Sequence, residues 1–310
     1  MDQSRRNFLK SSSAAVAGLL TPFTAVTANP DLLKMPAGAG FQLLVMATNW
    51  GFNGTATAFC EKAKQDGYDG VEVLWPADRQ QQEAILTAAK KQGLKIAFLC
   101  RGDEPDWKQQ LETFRTVTAG AAANTILQPL YINCHSGRDF FEEEQNQSFI
   151  DVAAGLEKQT GVKMYHETHR SRMLFAAHIT KKFINKNPSL KLTLDISHWC
   201  NVHESMLEDQ AGAVAAALEH TAHFHARIGH PEGPQINDPR APEWEATIKQ
   251  HFAWWDKIAE RKRRNGEVMT VLTEFGPPTY MPAQPYTQQP VVDQWAVNLY
   301  MMKMLRQRYQ

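Results

Sequence analysis

Short apolar runs, each followed by a run with helical spacing, recur eight times between Gln42 and Arg308. That alternation leaves few folds open, because consecutive strand–helix pairs build parallel sheets covered by helices. The strands predicted from it are Gln42–Thr48, Gly70–Leu74, Lys95–Cys100, Leu130–Cys134, Lys163–Glu167, Lys191–Asp195, Ala222–Arg227 and Val268–Glu274. The helices between them are expected to begin near Thr55, Gln80, Trp107, Ser148, Arg172, Ser205, Trp244 and Val291. Gly67 and Gly93 close the first two, where a left-handed residue suits a helix end. Between Ser205 and His220, Leu207, Ala211, Val214 and Leu218 recur at helical spacing and mark one apolar face. Runs such as VEVL, IAFL and VMTVL are apolar throughout, as expected of strands buried on both faces. Eight such pairs in a row predict an α/β chain folded as a closed (β/α)8 TIM barrel over residues 41–310. An open doubly wound sheet would carry a glycine-rich phosphate loop after its first strand, and Asn49-Trp50-Gly51-Phe52-Asn53-Gly54 matches that pattern poorly.

The chain of 310 residues is 43% hydrophobic and 21% charged, enough apolar material for one large core. Lys+Arg and Asp+Glu are both 33, and this balance gives no cationic excess for a nucleic-acid surface. The basic run Arg261–Arg264, just before Gly266, reads as a solvated helix end. The N-terminus is more specific. Ser4-Arg5-Arg6-Asn7-Phe8-Leu9-Lys10 precedes a mildly apolar run from Ala14 to Leu20, and Val26-Thr27-Ala28 supplies small residues for cleavage. This resembles a bacterial twin-arginine signal, which implies residues 1–28 as signal, 29–40 as linker, and the twin-arginine export machinery as a partner. It also implies a periplasmic or otherwise exported protein. The apolar run is too short for a stable membrane anchor. Four cysteines, Cys60, Cys100, Cys134 and Cys200, lack the paired spacing of a zinc site. Cys100 and Cys134 fall near the ends of successive strands, so a disulfide is an alternative to buried free thiols, the reading adopted.

In a barrel, chemistry gathers at the C-terminal ends of the strands. There the fifth strand reads Tyr165-His166-Glu167-Thr168-His169-Arg170, and the sixth Leu194-Asp195-Ile196-Ser197-His198. The seventh reads His223-Phe224-His225-Ala226-Arg227, and the eighth Thr273-Glu274-Phe275-Gly276-Pro277. Taken singly, each has an ordinary explanation. Glu167 could pair with Arg170 or Arg172, Asp195 could cap the turn after its strand, and Glu274 could be a loop carboxylate. Taken together, three carboxylates converging on one rim would repel strongly without a cation. Glu167, Asp195, His225 and Glu274 supply three hard oxygens and one imidazole, a set suited to one divalent ion, Mn2+ or Mg2+, with Co2+ or Zn2+ as alternatives. His223 and His225 share a strand face, and His225, nearer the C-terminal end, is the expected ligand. Further candidates for substrate contact are Glu72 with Trp75 after the second strand, and His135 after the fourth. Trp50 and Trp199 could stack on a sugar ring or simply pack the rim.

These residues resemble the xylose-isomerase-like TIM-barrel superfamily, which includes sugar isomerases, sugar epimerases and endonuclease IV. The motifs are G-Y-D-G-V-E-V, N-C-H-S-G-R-D, E-T-H-R, L-D-I-S-H, H-F-H and T-E-F-G, at strands two and four to eight. The resemblance to its ketose 3-epimerases implies a metal on Glu167, Asp195, His225 and Glu274, with the two glutamates as the catalytic pair exchanging protons with the substrate carbon. It also implies a substrate contact from His198. Where that group carries an arginine after the metal histidine this chain has Pro231, and where it carries a second glutamate after the fifth strand this chain has Met173. Arg227, His230 and Arg170 are the residues expected to make polar contacts instead. The implied function is a metal-dependent isomerase or epimerase of carbohydrate metabolism, acting on a keto-sugar or polyol through an enediolate. A lyase or hydrolase of an oxidised glycoside at the same metal is the alternative, and a non-catalytic sugar-binding barrel is a third. Such a barrel could act alone or as a homo-oligomer.

Overall fold

The computed structural model describes residues 40–310; the arginine-pair motif, the apolar run and the cleavage residues lie outside the described residues. The strands are β1 Gln42–Thr48, β2 Gly70–Leu74, β3 Lys95–Arg101, β4 Tyr131–His135, β5 Lys163–Glu167, β6 Leu192–Leu194, β7 Thr221–His225 and β8 Val268–Thr273. They form one closed parallel barrel in sequence order, with β1 hydrogen-bonded to both β2 and β8. The expected (β/α)8 fold is therefore the observed one. The helices are α1 Ala56–Gln65, α2 Arg79–Lys91, α3 Trp107–Ala122, α4 Glu143–Thr160, α5 Ala177–Lys186, α6 Ser197–Val202, α7 Ala211–His220, α8 Glu245–Asn265 and α9 Gln294–Tyr309. Among the described residues no helix is long and apolar enough to cross a membrane.

Local chemistry sets the boundaries. Thr55, Asp78 and Asp106 cap α1, α2 and α3 by accepting from backbone amides in the first turn. Helix α4 begins at Glu143, earlier than the apolar spacing predicts, because Glu142 and Gln145 form a capping box. Helix α5 begins at Ala177 rather than Arg172, after Ala176 in an extended backbone (φ −132°, ψ 148°); the Arg172 side chain reaches Asp103 and the Gly102 carbonyl. The helix expected from Ser205 starts only at Ala211, after Leu207 adopts a left-handed backbone (φ 66°). The short α6 is unforeseen: Asp195 leaves the sheet after β6 and accepts from Ser197 N at 3.1 Å, starting a turn. The basic run is only partly solvated. Arg263 and Arg264 are exposed, but Lys262 is buried on Glu267 (2.7 Å) and Arg261 donates to the Thr221 carbonyl.

Alternation along the strands divides the side chains into two sets. Val45, Val71, Val73, Ile96, Phe98, Ile132 and Phe224 point outward into the layer between barrel and helices. Leu44, Met46, Ala97, Tyr131, Tyr165 and Leu272 fill the lower interior of the barrel, where Tyr131 and Tyr165 stack at 5.2 Å. Cys100 and Cys134 face each other in the β3–β4 register, and all four cysteines are buried free thiols.

The long β7–α8 loop is anchored by His251, which is fully buried. Its Nδ1 donates to the Thr247 carbonyl (2.9 Å) and its Nε2 accepts from Gly229 N (3.2 Å). A proton on Nε2 would set two donors against each other, and burial pushes the imidazole down to about 4. The unfolded chain takes up this proton near 6.5, so the contribution is complete above that pH and is lost as pH falls toward 4. The slope for one such group reaches about 1.4 kcal/mol per pH unit, roughly 3 kcal/mol over the window. Urea unfolding of wild type and His251→Gln between pH 4 and 7 checks this: the variant should show a shallower acid limb, and parallel curves would refute it.

Candidate metal centre

Beyond the apolar interior layers, the inward positions become polar. On β4 the parity that turns Tyr131 inward also turns Asn133 and His135 inward, and on β5 it turns Glu167 inward after Tyr165. On β7 it brings His223, His225 and, just past the strand, Arg227, and on β8 Thr270, Leu272 and Glu274. These side chains meet at the C-terminal mouth, which opens into a cavity of about 600 Å³ lined by Glu72, His135, Glu167, His169, Arg227 and Glu274 among others.

His225 Nδ1 lies at the centre. Glu274 Oε2 is 2.7 Å from it, Glu167 Oε1 is 3.8 Å, and Asp195 Oδ2 is 3.8 Å. The four residues proposed as ligands from the sequence are thus brought together around one point. Although close, His225 Nδ1 and Glu274 Oε2 are not aligned for a hydrogen bond, and neither has another hydrogen-bond partner; the next charged neighbour of Glu274 Oε2 is Arg227 Nη2, at 3.4 Å. Orphaned buried donors and acceptors facing one another are what a shared cation would satisfy. Ligand atoms of Glu167, Asp195 and His225 lie close enough together for a single ion, and Glu72–His223–His225 and His135–Glu167–His169 form two neighbouring groups of the same kind. The residues present fit a divalent metal by donor chemistry as well: hard carboxylate oxygens and one imidazole.

Each candidate ligand is held from behind. Glu167 Oε2 accepts from Asn133 Nδ2 (2.6 Å) and lies 2.8 Å from His135 Nε2, leaving Oε1 toward His225. Neither Arg170 nor Arg172 pairs with it; Arg172 binds Asp103, and Arg170 lies over the Tyr280 ring at 4.8 Å. Asp195 does cap its turn, but through Oδ1 to Ser197, so that Oδ2 remains at the centre beside Arg227. The strand end bearing Glu274 is fixed by Asn298 Oδ1, which accepts from Phe275 N (2.8 Å), and by Gln235 Oε1, which accepts from Gly276 N (2.7 Å). Gly276 allows Trp50 to lie against the backbone there: a Cβ would come within 2.3 Å of its ring.

Glu72 lines the cavity and also lies behind His225. It is 3% exposed, and it accepts from Tyr131 Oη (2.9 Å) and Asn133 Nδ2 (3.0 Å) while lying 3.3 Å from His225 Nε2. A proton on Nε2 directed at Glu72 leaves the Nδ1 lone pair for a metal, the usual work of a carboxylate behind a histidine ligand. Burial opposes ionisation of Glu72, but hydrogen bonds from His223 and His225 outweigh it and hold the carboxyl well below its ordinary range. His223 is a satisfied interior histidine, its Nδ1 2.9 Å from Thr270 Oγ1.

Arg227, 1% exposed, sits among the acids. Its Nη2 contacts Asp195 Oδ2, lies 3.4 Å from Glu274 Oε2 and 2.8 Å from His198 Nε2, and its guanidinium rests 4.7 Å above the Tyr280 ring. His198 is fully buried under Arg227 and His169 (ring centroids 3.9 Å apart), so it braces the mouth rather than lining it. His169, which was not singled out from the sequence, does line the cavity; burial and the neighbouring His135 push it down to about 3. Trp75 points the other way. Glu72 faces inward, so a residue three further on faces outward, and Trp75 packs edge-on against Phe98 (4.7 Å) in the outer layer. Trp199 is likewise core, donating to the Leu174 carbonyl, whereas Trp50 lines the mouth. His230 packs at a tilt against Trp244 in the β7–α8 loop and does not line the cavity.

Residues 60–253 match the profile of the xylose isomerase-like TIM barrel family. No curated protein sequence matches the chain. Similar solved structures include 3-keto-D-glucoside 4-epimerase YcjR from E. coli, 15% identical with a TM-score of 0.59, covering 86% of this chain and 100% of that one. The probable 3-DHS dehydratase AsbF from Bacillus anthracis is 15% identical (TM-score 0.55), covering 86% and 99%. A D-tagatose 3-epimerase-like protein is 11% identical (TM-score 0.55), covering 86% and 96%. At these identities the likeness is one of fold.

Proposed function

The chain belongs to the xylose isomerase-like TIM barrel family, and from that premise we propose that it is a divalent-metal-dependent isomerase or epimerase acting on a keto-sugar or related polyol. The observation that carries this reading is the convergence of Glu167, Asp195 and Glu274 on the unpartnered Nδ1 of His225. These four would hold the ion, Mn2+ by preference. When bound, it would lower the cost of the negative charge that collects on a substrate carbonyl oxygen as the neighbouring C–H bond breaks.

The protein's own groups do the rest. Glu167 Oε1, turned to the cavity by Asn133 and His135, takes the proton from the carbon next to the carbonyl, and the C–H electron pair moves into an enediolate. Glu274, arriving from β8 across the mouth, returns a proton to that carbon from the other face, which inverts it. Return to the adjacent carbon gives the isomer instead. Arg227 keeps the acids together and presents a cation to substrate oxygens. Trp50 and Tyr280 wall the mouth and limit water. YcjR is a 3-keto-D-glucoside 4-epimerase and the third barrel is D-tagatose 3-epimerase-like, which supports this class of reaction for the shared barrel. The Arg5–Arg6 motif supports export of residues 29–310 to the periplasm, where a free sugar or oxidised glycoside is a more fitting substrate than a sugar phosphate.

Solvent deuterium uptake into a panel of keto-sugars and 3-keto-glycosides, with Mn2+ present, tests the proposal. Uptake at a carbon beside the carbonyl supports it. Uptake with release of an aglycone would replace epimerisation by elimination, and no uptake from any member with any divalent ion would sink the enzymatic reading.

A further inference from the structure

Away from the acids, the β3–β5 side of the cavity is basic. Arg101, at the end of β3, and Arg172, after β5, both line it. They share one carboxylate: Asp103 lies 2.9 Å from Arg101 Nε and 2.7 Å from Arg172 Nη2. Two guanidinium groups on one carboxylate leave one positive charge over. Arg172 is 5% exposed, its Nη1 fixed on the Gly102 carbonyl (2.9 Å), yet its buried Nε–H has no partner. A buried guanidinium donor left idle is costly. Ser171, between the two basic residues Arg170 and Arg172, also lines the wall and holds a left-handed backbone (φ 67°), a conformation that a non-glycine residue adopts at a cost.

We propose that this wall is a seat for a carboxylate carried by the substrate, gripped by Arg101 and Arg172 with Ser171 at its edge. The substrate class is then a keto-sugar acid, with its charged end on the β3–β5 side and its carbonyl end at the acids. The proposal rests on the mouth being the reaction site. One surplus positive charge matches a monoanion, and a phosphate dianion would overshoot it. Asp103 is the internal competitor that occupies part of the seat when no substrate is there.

The test is calorimetric titration of the chain carrying Glu167→Gln at saturating Mn2+, with its metal content measured, so that turnover does not enter. The probes are D-galacturonate and D-gluconate, their neutral parents D-galactose and D-glucose, and D-glucose 6-phosphate. The acids should bind at least about tenfold more tightly than the neutral sugars. Adding Arg101→Gln, at an exposed position, should weaken the acids about tenfold and leave the neutral sugars unchanged, while adding Asp103→Asn should tighten the acids. A purely structural role for this wall would not move the two variants in opposite directions. Equal affinity for acids and neutral sugars, no binding of either acid, tighter binding of the phosphate, or acid affinity indifferent to both variants would each overturn the seat. Tight acid binding with no deuterium uptake in wild type would keep the seat and sink the proposed reaction; uptake into neutral keto-sugars with no preference for acids would do the reverse.

Discussion

Glu167→Gln should lose about 10³-fold in solvent deuterium uptake at saturating Mn2+, with its fold unchanged. Gln keeps the shape of the side chain, so its oxygen can still accept from Asn133 and its neighbours on β4 and β6 need not move. What it loses is the ability to take a proton, together with a charged oxygen for the ion, so Mn2+ is kept at saturation and its occupancy is measured beside the uptake. Glu274→Gln should lose a comparable factor in overall conversion. It should retain more uptake from the face served by Glu167, because one glutamate removes the proton and the other returns it. Circular dichroism and thermal melting establish that the variants are folded, and mass spectrometry of recovered sugar reads the uptake. A Glu167→Gln protein with near wild-type uptake would remove Glu167 from the chemistry, even if the ion binds where proposed.

The second large effect concerns Arg227. Without a metal, Glu72, Glu167, Asp195 and Glu274 crowd the site, and Arg227 is a guanidinium in contact with two of them. Burial opposes its charge, but Asp195 and Glu274 more than restore it, and it is held above the ordinary arginine range. Removing one partner from a buried ion pair leaves the rest uncompensated and typically costs 3–5 kcal/mol. Arg227→Gln should therefore melt on the order of 10 °C lower than wild type in the presence of a chelator. Mn2+ should recover a larger increment of stability in the variant than in wild type, because the ion replaces the missing positive charge as well as filling its own site. Differential scanning calorimetry with and without Mn2+ reads both quantities. Equal melting temperatures under chelation would mean that Arg227 is not needed to compensate the acids.

Much of this centre could be read from the chain before any coordinates. Glu167, Asp195, His225 and Glu274 each follow an apolar run long enough to be a strand, and barrel topology brings the ends of such runs to one rim. Parity explains most of what was missed. Asn133 sits two residues before His135, so both face inward, yet an asparagine inside an apolar strand gives no separate signal of function. His169 is two residues after Glu167 and was open to the same arithmetic. The misplacement of Trp75 was avoidable too, since Glu72 and a residue three positions on cannot share a strand face. The place of Glu72 behind His225 was not open to sequence reasoning. It depends on β2 and β7, which lie on different sides of the barrel, sending side chains into one interior layer where Tyr131 and Asn133 also reach. The positions of Arg101 and Arg172 are similar: one ends a strand and the other leaves a helix that starts later than its sequence suggests. Only the fold makes them neighbours over Asp103.

The most direct measurement is a calorimetric Mn2+ titration of the metal-stripped chain beside single alanine variants at Glu167, Asp195, His225 and Glu274. One ion per wild-type chain is predicted, with affinity falling about 100-fold or more in each variant. Wild-type affinity in any of the four would remove that residue from the ligand set, and the absence of Mn2+ binding to the wild-type chain would contradict the metal centre itself.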